Sequence, residues 1–365
     1  MTNRTSRGVA GLAIGAAMCL CPAALAQDDG DGPDIRNHEP FNLMVVNHTR
    51  RSVALVNSVI GYVMDDNFMP FSHYGLAGTP FDAINVLRQI WVSVPDTRKI
   101  YRFAADINYP PPLYGEVQTG PIDQVRGMEY VPDNDTIYVC HSGTSFSAPG
   151  DRILMFDLTG QPVGSFAATN PMDIMWSPDR GELLVSNATN NAIERFSLDG
   201  LYLGRLVESD GISGIDRPMQ MGVNHHTGEA IVCGASAPAG IYYYDFDGEQ
   251  LAFYPQAGQP MGIMELASEI YHGLLLFSSN LGLFTFWTDT DQLFTIRTGE
   301  SWGFANKVQF FCWADYDRSD FVDTDDFTAF VIDFELGVPQ ADFDGSGFVD
   351  IDDYIFFIER FIEGC

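Results

Sequence analysis

The sequence predicts a mainly β protein, a β-propeller of six blades followed by a small α-helical calcium-binding module. Three observations carry that expectation. A pattern of short apolar strands and Pro, Asp and Gly turns recurs about every 45 residues from 39 to 311, the spacing of stacked four-stranded units. Two acidic loops with alternating oxygen side chains follow near the carboxyl end, at 315–326 and 342–353. Each loop runs into a segment whose aromatic and aliphatic residues recur at helical spacing.

The chain divides into 1–26, 27–38, 39–311 and 312–365. Arg4 and Arg7, the apolar run Val9 to Leu20 and Ala24-Leu25-Ala26 read as a signal peptide. No later run reaches the roughly 18 to 20 apolar residues that a membrane-spanning helix needs, so a secreted, periplasmic or cell-surface protein is expected. Residues 27–38 are acidic and lack apolar periodicity, the composition of a flexible leader. The formal charge is −30, or about −32 once Arg4 and Arg7 are removed, which repels phosphates and excludes nucleic acid as a natural partner.

The clearest repeat in the body is Pro171-Met-Asp-Ile-Met-Trp-Ser-Pro-Asp-Arg-Gly-Glu-Leu-Leu-Val-Ser-Asn187, continuing through Ala192 to Gly200 and Leu201 to Leu206. Segments starting at Pro80, Val125, Pro218 and Pro260 align with it, and joining Trp302–Phe311 to Asn42–Val63 assembles a sixth copy. A single blade cannot bury both of its faces, so the copies must stack in a ring. That join makes the two ends of the body complete one blade together. Recurrent Asp-Gly and Thr-Gly pairs suit tight hairpins. Ile193-Glu-Arg-Phe-Ser-Leu-Asp-Gly200 and its equivalents resemble the third strand and turn of NHL-type repeats.

In the tail, calcium prefers six to eight oxygens, supplied from loop positions 1, 3, 5, 7, 9 and 12. The second loop offers Asp342, Asp344, Ser346, the Phe348 carbonyl, Asp350 and Asp353, with Gly347 at the sharp turn. The first offers Asp315, Asp317, Ser319, the Phe321 carbonyl, Asp323 and Asp326. Asp320 replaces glycine there, and Asp tolerates positive φ less well than glycine, so this loop should bind more weakly. Apolar helices are expected over Asp326 to Leu336 and Asp353 to Ile362, each burying its face against the other. The span 315–365 holds 15 acidic and two basic residues, a repulsion that a divalent cation relieves.

This duplicated EF-hand-like loop and helix resembles the type I dockerin family over Ala314 to Cys365. The resemblance implies Ca²⁺ as the cofactor that folds the module and a cohesin-type protein partner for one helix face. That family carries small hydroxyl residues at loop positions ten and eleven, where this chain has Thr324-Asp325 and Ile351-Asp352, a departure on the partner-recognition side. Cys312 and Cys365 bracket the module, and a disulfide between them would stabilise it by about 4 kcal/mol. Cys140 and Cys233 end short apolar runs and read as buried free thiols.

Propellers place ligands where their innermost strands converge. The polar residues on those strands are Asp82, Glu129, Asp173, Gln220 and Glu265. They are either metal ligands or acid/base groups, as in the gluconolactonase-like propellers the body resembles, or solvated channel residues and turn caps. His225-His226 sits in a turn and no zinc, nucleophile-elbow or phosphate-loop motif is present. The sequence thus favours a binding protein in which the propeller presents a surface and the tail attaches or stabilises it. Its alternative is a propeller enzyme, a metal-assisted lactonase or a polysaccharide-active hydrolase or lyase, carrying the same tail.

Overall fold

A computed structural model describes residues 42–105, 110–117, 122–143, 150–224, 227–266, 273–310, 314–317, 322–343 and 348–363. The expected leader segments, the Cys312 to Cys365 pairing, His225-His226 and the ligands Ser319, Phe321, Asp344 and Ser346 lie outside the described residues.

The body is a six-bladed β-propeller, and each blade is a four-stranded antiparallel sheet. Blade one joins Trp302–Val308 to Asn42–Asn47, Ser52–Asn57 and Val63–Pro70. Blade two runs Asp82–Val86, Gln89–Val94, Lys99–Ala104 and Leu113–Glu116; blade three Gln124–Val131, Thr136–Ser142, Arg152–Phe156 and Pro162–Ala167. Blade four runs Pro171–Ser177, Glu182–Asn187, Ala192–Phe196 and Tyr202–Glu208; blade five Pro218–Val223, Ala230–Gly234, Gly240–Tyr244 and Gln250–Tyr254. Blade six is Pro260–Glu265, Leu274–Ser279, Gly282–Trp287 and Gln292–Thr298.

The first strand of each blade packs on the first strand of the next, and that of blade six returns to Trp302–Val308. Closure therefore depends on Trp302–Val308 pairing antiparallel with Asn42–Asn47, with Leu43 opposite Lys307 and Val45 opposite Ala305. Leu43, Val45, Trp302 and Ala305 are buried in one cluster with Leu274, Leu276 and Leu283 of blade six. Each large apolar side chain buried this way contributes about 1.5–3 kcal/mol. First and second strands are buried on both faces, whereas the fourth strands, such as Pro162–Ala167 and Gln292–Thr298, face solvent. That gradient explains why the first two runs of each repeat are the most continuously apolar. Cys140 and Cys233 lie on second strands as buried free thiols.

The turns between third and fourth strands of blades three and five share one design. Asp245 Oδ1 accepts the N–H groups of Asp247 at 2.9 Å and Glu249 at 2.8 Å, and Asp157 Oδ1 does the same for Thr159 and Gln161. Gly248 and Gly160 then turn the chain at φ 86° and 84°, a conformation that favours glycine.

Two helices follow the ring, α1 (Thr324–Leu336) and α2 (Ile351–Glu363). Both begin two residues before the sequence places them. Asp323 caps α1 by accepting the Asp325 N–H while Asp326 accepts the Asp323 N–H, a reciprocal capping box. Asp350 and Asp353 make the matching bonds ahead of α2. The apolar faces meet at Phe330 and Phe357, whose rings stack 4.0 Å apart. No helix among the described residues is long and apolar enough to cross a membrane.

Replacing Gly248 with Ala should destabilise the body by about 2 kcal/mol or more, because its Cβ would sit 1.8 Å from the Leu206 carbonyl oxygen in addition to the strained φ. Gly181 has a similar φ with nothing within 4 Å, so Gly181→Ala should cost only about 1 kcal/mol. Urea unfolding of both variants checks the difference.

Candidate functional site

The tail brings three of the expected ligands of the first loop together. Carboxylate oxygens of Asp315, Asp317 and Asp326 all lie within 4.8 Å of one another. Asp326 is fully buried and closes the loop from within: one oxygen accepts the Asp317 N–H at 3.0 Å and the other the Asp323 N–H at 2.8 Å. Burial acts to raise its pKa, yet the N–H groups donated to it outweigh that and hold the carboxyl below the ordinary carboxylate value. Asp326 is therefore ionised and aimed into the loop.

The second loop repeats the arrangement 27 residues later. Asp353 is fully buried and accepts the Phe343 N–H at 2.6 Å and the Asp350 N–H at 2.7 Å. Around both loops, Tyr316, Phe330, Phe343 and Phe357 form a buried aromatic core. An all-oxygen, mostly carboxylate donor set suits a hard cation such as Ca²⁺ and not zinc, which favours nitrogen and sulfur. The residues of the first loop fit that ion, and Asp315, Asp317 and Asp326 would hold it there.

The inner-strand residues are built differently. Asp82 is 1 % exposed, and its oxygens accept the Met128 N–H of blade three at 2.7 Å, its neighbour's N–H at Ala83 and the Asn306 amide of blade one at 2.6 Å. Asp173 accepts the Met221 N–H of blade five at 2.8 Å. Gln220 accepts the Ile263 N–H of blade six and the Ala305 N–H of blade one, both at 2.9 Å, and donates to the Ala305 carbonyl at 2.7 Å. Glu129 accepts the Trp176 N–H of blade four. Glu265 is buried and attracts Lys307, whose own burial pushes it down to about 8.

The Asp82, Asp173 and Gln220 bonds tie first strands of neighbouring blades together at three of the six junctions. At the positions equivalent to Asp82, Asp173 and Gln220, blades three and six carry Gly127 and Gly262. A Cβ at Gly127 would lie 2.4 Å from Asp173 Oδ1, so glycine is what lets the clasp of the next blade approach. Burial pushes Asp82 up to about 7 and holds Asp173 well above the ordinary range. Burial, with the neighbouring Asp82 carboxylate adding to it, pushes Glu129 up to about 8. Asp82, Asp173 and Gln220 thus direct side-chain oxygens at the backbone of neighbouring blades.

Open clefts lie instead at the outer seams. One of about 500 Å³ between blades three and four is lined by Asp151, Thr169, Glu194, Phe196 and Tyr202. Another of about 670 Å³ between blades six and one is lined by Tyr62, Trp287, Phe294, Thr295 and Arg297. Sequence reasoning did not single out either set, because each is assembled from neighbouring blades at positions that read as ordinary exposed strand.

No protein-family model matches the chain, and no curated protein matches it. Among solved structures it is similar to a chain in a crystal structure of a nidogen/laminin complex, at 12 % identity and a TM-score of 0.59, over 74 % of this chain and all of that one. It is also similar to a catalytically inactive virginiamycin B lyase from Staphylococcus aureus with quinupristin, at 14 % identity and a TM-score of 0.48, over 72 % of this chain and 87 % of that one. A protein of unknown function from Bacteroides caccae matches at 10 % identity and a TM-score of 0.48, over 74 % and 100 %. At these identities the likeness is one of fold, the propeller.

Replacing Asp82 with Ala leaves the buried Met128 N–H without its acceptor and should cost about 1–3 kcal/mol for that group alone. The pH dependence has a defined sign. A folded carboxyl at about 7 holds a proton that the unfolded chain releases near pH 4, so its contribution is full below pH 4 and is lost as pH rises to about 7. Relative to Asp82→Asn, the wild-type melting temperature should therefore fall across that window. A difference that stays constant from pH 4 to 8 would contradict a buried, protonated Asp82.

Proposed function

We propose that this chain is an exported calcium-binding protein in which the propeller presents a ligand- or protein-binding surface and the helical tail, a dockerin-like calcium module, attaches or stabilises it. The observation that carries the calcium reading is the convergence of Asp315 and Asp317 on Asp326, the fully buried position-twelve carboxylate, whose counterpart Asp353 is likewise buried in the second loop. Three like charges brought this close repel one another, and a divalent cation offsets that repulsion while locking α1 and α2 into register.

Binding is favoured over catalysis by what the central carboxylates already do. Asp82, Glu129 and Asp173 accept backbone N–H groups of neighbouring blades, and burial keeps Asp82 and Asp173 from ionising readily. The seam between blades six and one, with its aromatic walls, and the seam between blades three and four are better placed to receive a ligand. On the tail, Phe348, Ile351, Ile355 and Ile362 are exposed, the last three along one side of α2, and offer an apolar face to a protein partner.

Titration calorimetry of the mature chain tests the calcium reading. Wild type should take up about two Ca²⁺ ions, the tighter in the second loop. Asp353→Asn should remove the tighter event and Asp326→Asn the weaker one. Absence of calcium heats in wild type would overturn the proposal.

A further inference from the structure

Among the described residues, the propeller and the two acidic loops meet around Arg88 of blade two. Arg88 follows Leu87 in the two-residue turn between Asp82–Val86 and Gln89–Val94 of blade two. Its carbonyl accepts the Ala105 N–H at 2.8 Å, which fixes the turn against the third strand of the same blade. Its guanidinium carbon lies 4.7 Å from the ring centre of Tyr316 and 5.1 Å from that of Phe343.

Tyr316 and Phe343 are the same residue of the two calcium loops, position two, directly after the first ligands Asp315 and Asp342. Their rings stack on each other at 5.9 Å and 21°. One cation thus covers both members of the internal repeat at once, and it can do so only while the two loops sit side by side. A second link runs through Tyr114 of blade two, whose hydroxyl donates to the Phe343 carbonyl at 3.0 Å. The Phe343 N–H in turn donates to Asp353, the buried position-twelve carboxylate, at 2.6 Å. Ala104 completes the buried aromatic core of the tail from the propeller side. Just before the tail, the Gln309 N–H donates to Asn85 Oδ1 at 3.0 Å, so the chain leaves the ring already tied to blade two.

We propose that this end of blade two is the docking surface for the chain's own calcium module, with Arg88 and Tyr114 as anchors, so that filling the loops and seating the module on the propeller are one coupled event. The proposal rests on the calcium reading above. Its physical basis is linkage. Calcium orders the loops and so holds Tyr316 and Phe343 in the paired geometry that Arg88 covers; a contact made only to that geometry must raise calcium affinity by the same factor that calcium strengthens the contact. A planar guanidinium over aromatic faces is suited to this role, where lysine's compact ammonium is not. The docked face is closed to other partners, which leaves the exposed side of α2 for them.

The test uses the full mature chain, calcium chloride, and the variants Arg88→Ala, Arg88→Lys and Tyr114→Phe. Calorimetry should show calcium binding about tenfold weaker in Arg88→Ala and about fivefold weaker in Tyr114→Phe, with Arg88→Lys recovering little. Calcium should raise the melting temperature of the propeller transition in wild type and raise it less in the variants. Tyr114→Phe removes one oxygen, so it keeps the test valid should Arg88→Ala misfold. Calcium uptake of equal affinity in wild type and variants, or a calcium response confined to a separate tail transition, overturns the docking proposal and leaves the calcium reading standing. No uptake by wild type overturns both.

Discussion

The rest of the structure depends on ring closure, in which Trp302–Val308 returns to lie beside Asn42–Asn47 and completes blade one. A propeller blade leaves an apolar face bare until a neighbour covers it, so an open arc of five and a fraction blades would expose two such faces. Closure removes both at once. It also fixes the start of the tail, because the strand that closes the ring ends at Val308 and the next residue, Gln309, is tied to Asn85 of blade two.

Packing alone does not set how neighbouring first strands are aligned along the ring's centre. Polar side chains do that here, each reaching the backbone N–H that follows the equivalent position of the next blade. Asp82, Asp173 and Gln220 span three of the six junctions in this way, and Gln220 and Asp82 reach blade one as well. Carboxyls so deeply placed are most stable protonated, which trades charge for directionality. Glycine at the matching position lets Gly127 of blade three admit the Asp173 clasp and Gly262 of blade six admit the Gly303–Phe304 backbone of blade one.

Much of the architecture was legible because its signals are local. The alternating strands, the Pro-Asp turns and the Asp-x-x-Gly hairpins each specify structure within a few residues, and the shared blade followed from incomplete repeats at the two ends. The helices were legible in kind, but each starts two residues early because Asp323 and Asp350 serve as caps as well as loop residues. The role of the inner-strand carboxylates was not legible. Asp82 reads the same in sequence whether water or the Met128 N–H faces it, and only the ring brings those groups together. Arg88 was equally silent, since its partners Tyr316 and Phe343 lie more than two hundred residues away in the chain.

The helical tail, packed on blade two beside the closing strand, and the clasped centre both presuppose that blade one is as firmly formed as the others. Native-state hydrogen exchange of the full chain measures this directly at the amides of Phe304 to Val308. If closure is the constraint on which the fold rests, these amides exchange only with global opening, as slowly as the first strands of blades two to six. Exchange of Phe304 to Val308 well ahead of those strands, with the other blades still protected, would show a ring that holds together without its clasp and would contradict the account.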